Sequence, residues 1–173
     1  KIYSPDEAPI PGFLFDDPVV REELALYYTS VRRADDALGA ILDALNASGK
    51  KENTIVVFLS DHGMPLPFAK TQLYHHSTRT PLIIRWPGVT QPGTVDERHM
   101  VSAIDFLPTF CDMVHAPHPD GLQGTSFLPL IQGKAQQGRT AVFKEYNENA
   151  GGNRHPMRGI ETVSYTHLRA HET

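Results

Sequence analysis

The feature that most constrains this chain is the apolar run at residues 54–60, which ends directly on Asp61-His62-Gly63. The run is continuous and rich in β-branched side chains, so it predicts a strand that is buried on both faces. Strands of this kind belong to sheets that carry helices on both sides. Polar side chains at the carboxyl end of such a strand lie where open α/β sheets bind their ligands.

Asp61 and His62 place an oxygen donor beside a nitrogen donor at that strand end, a combination that suits a divalent metal. Gly63 is expected to let the backbone turn away from the strand. The alternative interpretation is that Asp61 caps the following turn and His62 is an ordinary loop histidine. These three residues alone leave both interpretations open.

The segment before the strand predicts a long helix. Asp17 followed by Pro18 is typical of a helix start, and Gly49 is typical of a helix end. Apolar residues recur at three- and four-residue steps between them, which predicts an amphipathic helix to about Ser48. Asp35 lies in register with the apolar stripe, so we expect it to make a structural hydrogen bond or ion pair.

The residues after the strand predict further strands and helices in alternation. Strands are expected at 82–86, at 140–146 and from about 157, with helices at about 102–114 and 126–132. Such alternation implies an α/β fold with a largely parallel sheet.

The composition is that of an ordinary globular protein. The chain has 173 residues, with 16 Lys and Arg against 20 Asp and Glu, and a formal net charge of −4. Basic residues are scattered, so no nucleic-acid partner is expected, and no apolar run reaches the length of a membrane span. The single cysteine, Cys111, excludes an internal disulfide and leaves the redox compartment open.

Longer motifs resemble the sulfatase family. They lie at residues 60–88, 101–109 and 124–133, and read S-D-H-G-M-P-L-P-F-A-K followed by T-R-T-P-L-I-I-R-W-P-G, then V-S-A-I-D-F-L-P-T, then G-T-S-F-L-P-L-I-Q-G. Within the family they are most similar to the N-sulfoglucosamine sulfohydrolase (heparan N-sulfatase) branch. The resemblance covers nearly all of residues 12–160, in order.

This resemblance implies an alkaline-phosphatase-like α/β sandwich with a mostly parallel central sheet. It implies that Asp61 and His62 bind one divalent cation, which is Ca²⁺ in the family, while the nitrogen of His62 favours Mn²⁺. Lys70 matches a basic position of the family's active-site loop and is assigned as catalytic, since an ammonium there stabilises charge on the transferring group. A solvated loop lysine is the alternative, and Arg79 is expected to be a structural residue.

Four other residues are assigned to the site. His76 is assigned as a catalytic proton donor and His75 as a substrate ligand, with surface histidines as the alternative, because this pair departs from the family's commoner pattern. Glu145 and Arg158 flank the loop after the strand at 140–146 and are assigned to substrate binding.

The family's nucleophile is a formylglycine made from Cys or Ser in a Cys/Ser-x-Pro/Ala-x-Arg motif, which has no match in this sequence. Cys111 lies in a helical pattern and is interpreted as a small buried hydrophobe. Asp16-Asp17 imitates the family's early metal pair but precedes a helix, so it is rejected. Residues 1–162 are therefore expected to be the C-terminal part of a sulfatase catalytic domain whose nucleophile lies in a preceding part.

Residues 163–173 resemble the translation of a sequencing adapter and are excluded from functional reasoning. The expected function is hydrolysis of a sulfate ester or sulfamate on the terminal sugar of a glycan, in an intact protein that is periplasmic or secreted. Two alternatives stay open: a phosphonate monoester or phosphodiester hydrolase of the same superfamily, and an inactive binding module. The chain by itself is expected to be inactive.

Overall fold

The computed structural model describes residues 1–148, 155–162 and 166–170. The helices are α1 (Pro18–Ala47), α2 (His75–Thr78), α3 (Phe106–Met113) and α4 (Leu128–Ile131), and the strands are β1 (Val56–Leu59), β2 (Leu82–Arg85), β3 (Val142–Glu148), β4 (His155–Glu161) and β5 (Thr166–Ala170). Short 3-10 helices lie at Pro5–Glu7, Lys51–Asn53 and Ala103–Asp105. Each helix and strand predicted from the sequence is therefore present, with ends shifted by a few residues.

The start and end of α1 follow the predicted signals. The Asp17 carboxylate accepts a hydrogen bond from the backbone N–H of Val19 at 2.9 Å, and Pro18 is the first helical residue. Gly49, just beyond the helix, has a φ of +70°, a conformation that glycine adopts without strain. Asp35 forms the expected ion pair, with Arg32 at 3.6 Å, although its side chain is exposed.

The core around α1 holds the loop that follows β1. Leu24 and Ala25 are buried together with Ala8 from the N-terminal loop. Met64 and Leu66, which come after β1, pack against this cluster. Burial of these apolar side chains holds the start of the loop after β1 against the first turns of α1.

The strand pairings differ from the expected parallel arrangement. β1 and β2 pair antiparallel, with Val56 opposite Arg85 and Leu59 opposite Leu82. Parallel neighbours need a crossover helix that carries the chain back along the sheet. Residues 60–81 contain only the one-turn α2, so the chain re-enters the sheet at the same end that it left. As a result, the carboxyl end of β1 and the start of β2 enclose one long loop.

The C-terminal strands form a second sheet, in the order β3-β4-β5 with antiparallel pairing. Glu145 lies directly opposite Arg158 in the β3–β4 register. Residues 166–170, which form β5, fall within the segment that was assigned to an adapter. That assignment stays a prediction.

Two burial predictions are wrong for the described residues. Phe58 is 38% exposed and Leu59 is 49% exposed, so β1 is not buried on both faces. One reason is that β2 is the only strand paired with β1 in the described part of the chain, so the sheet around β1 has only two strands there. Cys111 is half-buried rather than fully buried. In the same described ranges, no helix combines the length and apolar character needed to cross a membrane.

Candidate functional site

A cavity of about 940 Å³ lies at the carboxyl end of β1. Its walls come from the middle of α1, the last residues of β1, the loop after β1 and α2. Four of the seven residues predicted for the site line this cavity: Asp61, His62, His75 and His76. The cavity therefore gathers most of the predicted polar groups at the strand end, where an α/β sheet is expected to bind a ligand.

Asp61 and His62 direct their lone pairs toward each other. The Nδ1–H of His62 donates to the carbonyl of Gly63 at 2.8 Å, so the neutral form of this ring has its lone pair on Nε2. That Nε2 is 3.4 Å from Oδ2 of Asp61, whose side chain is 84% exposed. An oxygen and a nitrogen lone pair this close together fit the chemistry of a divalent cation site.

These two side chains supply part of a metal shell. Among the described residues, no group of three or more His, Cys, Asp or Glu side chains converges on one point. The donor set nevertheless fits a divalent cation, because neither lone pair is consumed by an internal hydrogen bond. Asp61 and His62 would hold such an ion from one side.

Gly63 is required by a close approach of backbone rather than by a turn. A Cβ at this position would lie 2.1 Å from the carbonyl oxygen of His76 and 2.5 Å from that of Ala69. The Gly63 N–H also donates to the carbonyl of Ser77 at 3.1 Å. Gly63 thus allows α2 and the preceding loop to pack directly on the Asp–His segment, and its φ is not in the left-handed region.

Lys70 lies in a strained part of the same loop but does not line the cavity. Phe68 and Thr71, on either side of it, have φ values of +67° and +57°. This conformation is disfavoured for a bulky residue and more so for a β-branched one, and such strain often accompanies functional sites. Ala69 is fully buried beneath, which leaves the exposed Lys70 side chain directed away from the core.

His76 is an exposed cavity residue that stacks on an aromatic ring. Its imidazole lies 4.1 Å from the ring of Phe13, with an angle of 22° between the planes. His75 meets it edge-on at 5.7 Å. Phe13 comes from the N-terminal loop, and no sequence pattern indicated that it would reach the site.

His75 is held by a buried ion pair that the sequence did not predict. Its Nδ1 hydrogen-bonds to the carboxylate of Glu161, at the end of β4. Glu161 also forms an ion pair with Lys144, in β3, and the side chains of these two residues are 9% and 8% exposed. Lys144 in turn donates to the hydroxyl of Thr78 and, at 3.5 Å, to the carbonyl of Leu73. The second sheet is thereby tied to both ends of α2.

The electrostatics of this group favour a neutral imidazole. Burial lowers the pKa of His75, and the positive charges of Arg79 and Lys144 lower it further. Burial also lowers the pKa of Lys144 from its ordinary value. The pKa of His75 thus lies below its ordinary value, which favours the neutral form of the ring.

Glu145 and Arg158 pair with each other outside the cavity. Their side chains form an exposed cross-strand ion pair at 2.9 Å, with Nε of Arg158 as the donor. Neither residue lines the cavity that the described residues form. Their assignment to substrate binding stays a prediction.

Asp105 is the most strongly bonded carboxylate in the described part of the chain. Its oxygens accept hydrogen bonds from the backbone N–H groups of Ser102 at 2.8 Å and Thr125 at 2.7 Å, and from the guanidinium of Arg139. Burial alone would raise the pKa of Asp105, but the bonds from Arg139, Thr125 and Ser102 hold it below its usual range. We call these four residues the Asp105 cluster. It lies outside the cavity and is structural.

Two solved structures share the fold: a 2-O GAG sulfatase, with a TM-score of 0.81 at 23% identity over 90% of this chain and 35% of that one, and the phosphonate monoester hydrolase of Silicibacter pomeroyi, with 0.71 at 23% over 96% and 38%. These neighbours confirm the alkaline-phosphatase-like α/β fold.

The sulfatase family model matches residues 3–116, and the model "N-sulphoglucosamine sulphohydrolase, C-terminal" matches residues 61–173. The chain belongs to the sulfatase family. It is 34% identical to an ulvan-active sulfatase of Formosa agariphila, over 88% of this chain and 31% of that protein. It is 32% identical to the human N-sulphoglucosamine sulphohydrolase, over 93% of this chain and 34% of that protein. The chain thus spans about a third of the length of these relatives.

Proposed function

We propose that this chain is part of a periplasmic or secreted sulfatase that hydrolyses a sulfate ester or sulfamate on the terminal sugar of a glycan. The observation that carries the proposal is the pair of free lone pairs on Asp61 and His62 at the mouth of the cavity, in a chain of the sulfatase family. The human relative supports the substrate class, since its name specifies an N-sulphated glucosamine. The acidic net charge of −4 favours a short sugar end over long-range capture of a polyanion.

In this proposal each residue has a separate task. Asp61 and His62 hold a divalent cation, Ca²⁺ or Mn²⁺, which when bound supplies positive charge beside the transferring group. Lys70 donates to an oxygen of that group as charge develops on it. His76 gives a proton to the leaving group, and Phe13 fixes the plane of its ring. The formylglycine nucleophile comes from a part of the protein outside this sequence.

A substrate panel on a full-length enzyme that contains this chain tests the proposal. N-sulfated glucosamine, 6-O-sulfated glucosamine, an aryl sulfate and a phosphonate monoester are compared by kcat/KM. We expect N-sulfated glucosamine to be preferred, and the 173-residue chain alone to turn over none of them. Preference for the aryl sulfate would contradict the substrate, and preference for the phosphonate would favour the second candidate, which the Asp–His pair also suits.

The variant Lys70→Ala tests the role of the loop. Its kcat should fall more than its KM rises, because a contact made mainly in the transition state raises kcat without tightening substrate binding. A Lys70→Ala enzyme with normal kcat would show that Lys70 is a solvated loop residue. Arg98→Ala, which removes an exposed cation outside the cavity, is the matched control.

A further inference from the structure

One cationic residue of the cavity, Arg79, was expected from the sequence to be structural and has no task in the proposed reaction. Arg79 follows α2 directly, is exposed and lines the cavity together with Asp61 and His62. Among the side chains that the structure describes, no carboxylate forms an ion pair with it. A guanidinium beside a cavity and without a carboxylate partner is free to bind an anion.

We propose that Arg79 binds the anionic group of the substrate, and that Lys144, Glu161 and His75 are positioning residues that orient its guanidinium. The inference rests on the proposed function, because it names the anion-binding residue of the same cavity. The planar guanidinium presents paired N–H donors that match two oxygens of one oxyanion, which a lysine ammonium does not.

The orientation of Arg79 depends on His75. The Nη1 of Arg79 donates to Nε2 of His75 at 3.4 Å, and the backbone N–H of Arg79 donates to the His75 carbonyl at 2.8 Å. A guanidinium has no acceptor, so Nε2 of His75 must carry the lone pair. The proton of the neutral ring is then on Nδ1, which donates to Glu161.

Lys144 fixes the carboxylate that selects this tautomer. It pairs with the other oxygen of Glu161 in a buried position, and its contacts with Thr78 and Leu73 hold α2 against the same group. The lowered pKa of His75 is consistent with the neutral, accepting ring. The second sheet is thus connected to the cavity wall by four side chains in successive contact: Lys144, Glu161, His75 and Arg79.

The tautomer of His75 is measured on the 173-residue chain by ¹⁵N–¹H NMR of the imidazole rings. Removal of Lys144 or Glu161 alone would leave a buried charge without its partner, so both charges are removed together. K144M/E161Q keeps an oxygen that accepts from Nδ1–H, whereas K144M/E161M keeps none. We expect wild type and K144M/E161Q to hold the proton on Nδ1, and K144M/E161M to lose that form. The same tautomer in all three proteins would overturn the positioning role.

Anion binding is measured by titrating the same proteins with inorganic sulfate and following the ring resonances of His75, which contacts the Arg79 guanidinium and is retained in every variant. Arg79→Gln should weaken sulfate binding about tenfold, the usual value of a charged hydrogen bond. K144M/E161M should also weaken it, and K144M/E161Q should restore it. Arg98→Gln, an exposed arginine outside the cavity, is the matched control.

Equal sulfate affinity in Arg79→Gln and Arg98→Gln would overturn the anion site. Because the titration needs no turnover, that result would leave the proposed hydrolysis intact. Conversely, sulfate binding at Arg79 in a full-length enzyme that hydrolyses none of the sulfated substrates would refute the proposed function alone.

Discussion

Two carboxylates, Asp61 and Asp105, both lie in the motifs that resemble the sulfatase family, yet their surroundings are opposite. Asp105 is 2% exposed, and its oxygens accept four hydrogen bonds from three residues. Asp61 has a side chain that is 84% exposed, and an imidazole lone pair is its near neighbour. The first carboxylate is fully satisfied by the fold, while the second keeps its acceptor capacity for something outside the described residues.

We propose that this difference separates a structural carboxylate, Asp105, from one that binds a metal, Asp61. A buried carboxylate is tolerated only if its charge is paired and its oxygens are hydrogen-bonded, so the Asp105 cluster joins the start of α3 to the segments around Thr125 and Arg139. An exposed carboxylate beside a nitrogen lone pair contributes little to folding. Each of the following measurements tests this division.

The largest effect on stability is expected at Asp105. Asp105→Ala removes the acceptor for two backbone N–H groups and leaves the Arg139 guanidinium without its partner, so the free energy of unfolding should fall by about 3 kcal/mol. Urea denaturation of the chain measures it. Asp112→Asn, at an exposed ion pair with His118 at 2.7 Å, is the control and should cost less than about 1 kcal/mol. Equal losses in the two variants would show that the Asp105 cluster does not stabilise the fold.

The sequence predicted the elements of the fold better than their arrangement. Helix α1 was predictable because its signals are local: a capping Asp17, a proline at the first position and Gly49 at the end. The antiparallel pairing of β1 with β2 was not, because the apolar run of β1 reports burial in a sheet and not the direction of its neighbour. Register and direction depend on contacts distant in sequence.

The same limit applies to the site. The position of Asp61 and His62 in a cavity wall was predictable because a strand end is a known location for ligand-binding clefts. Lys144 and Glu161 were not, since the pattern of β3 points the other way: Phe143 is 80% exposed while the neighbouring Lys144 is buried. A rule that places apolar residues inside would put Phe143 there instead. The contact of Phe13 with His76 also joins distant parts of the chain and leaves no local signal.

A smaller effect on the free energy of unfolding is expected when Asp105 is protonated at low pH. The pKa of Asp105 is below its usual range in the folded chain, so as the pH falls the unfolded chain takes up a proton before Asp105 does. Its contribution to stability is therefore fully present above about pH 5 and is lost as the pH falls through the folded pKa. Asp105→Asn lacks this contribution, so its unfolding free energy should depend less on pH between about pH 5 and 3. Parallel curves for the two proteins in urea denaturation would contradict the role of Arg139 and the backbone donors.

The smallest effect on stability, and the sharpest on metal binding, is expected at the end of β1. Asp61→Ala should change the free energy of unfolding by less than about 0.5 kcal/mol, because an exposed side chain is removed, yet it should abolish the broadening of the His62 ring signals by Mn²⁺. Asp43→Ala, which removes an exposed carboxylate on α1, is the control and should leave the broadening intact.

His62→Asn should keep metal binding and shift the preference toward Ca²⁺, since an amide oxygen replaces a nitrogen. If His62→Asn binds Mn²⁺ and Ca²⁺ with the wild-type preference, His62 is not a ligand. If Asp61→Ala lowers the free energy of unfolding as much as Asp105→Ala does, the two carboxylates do not differ in their role in the fold.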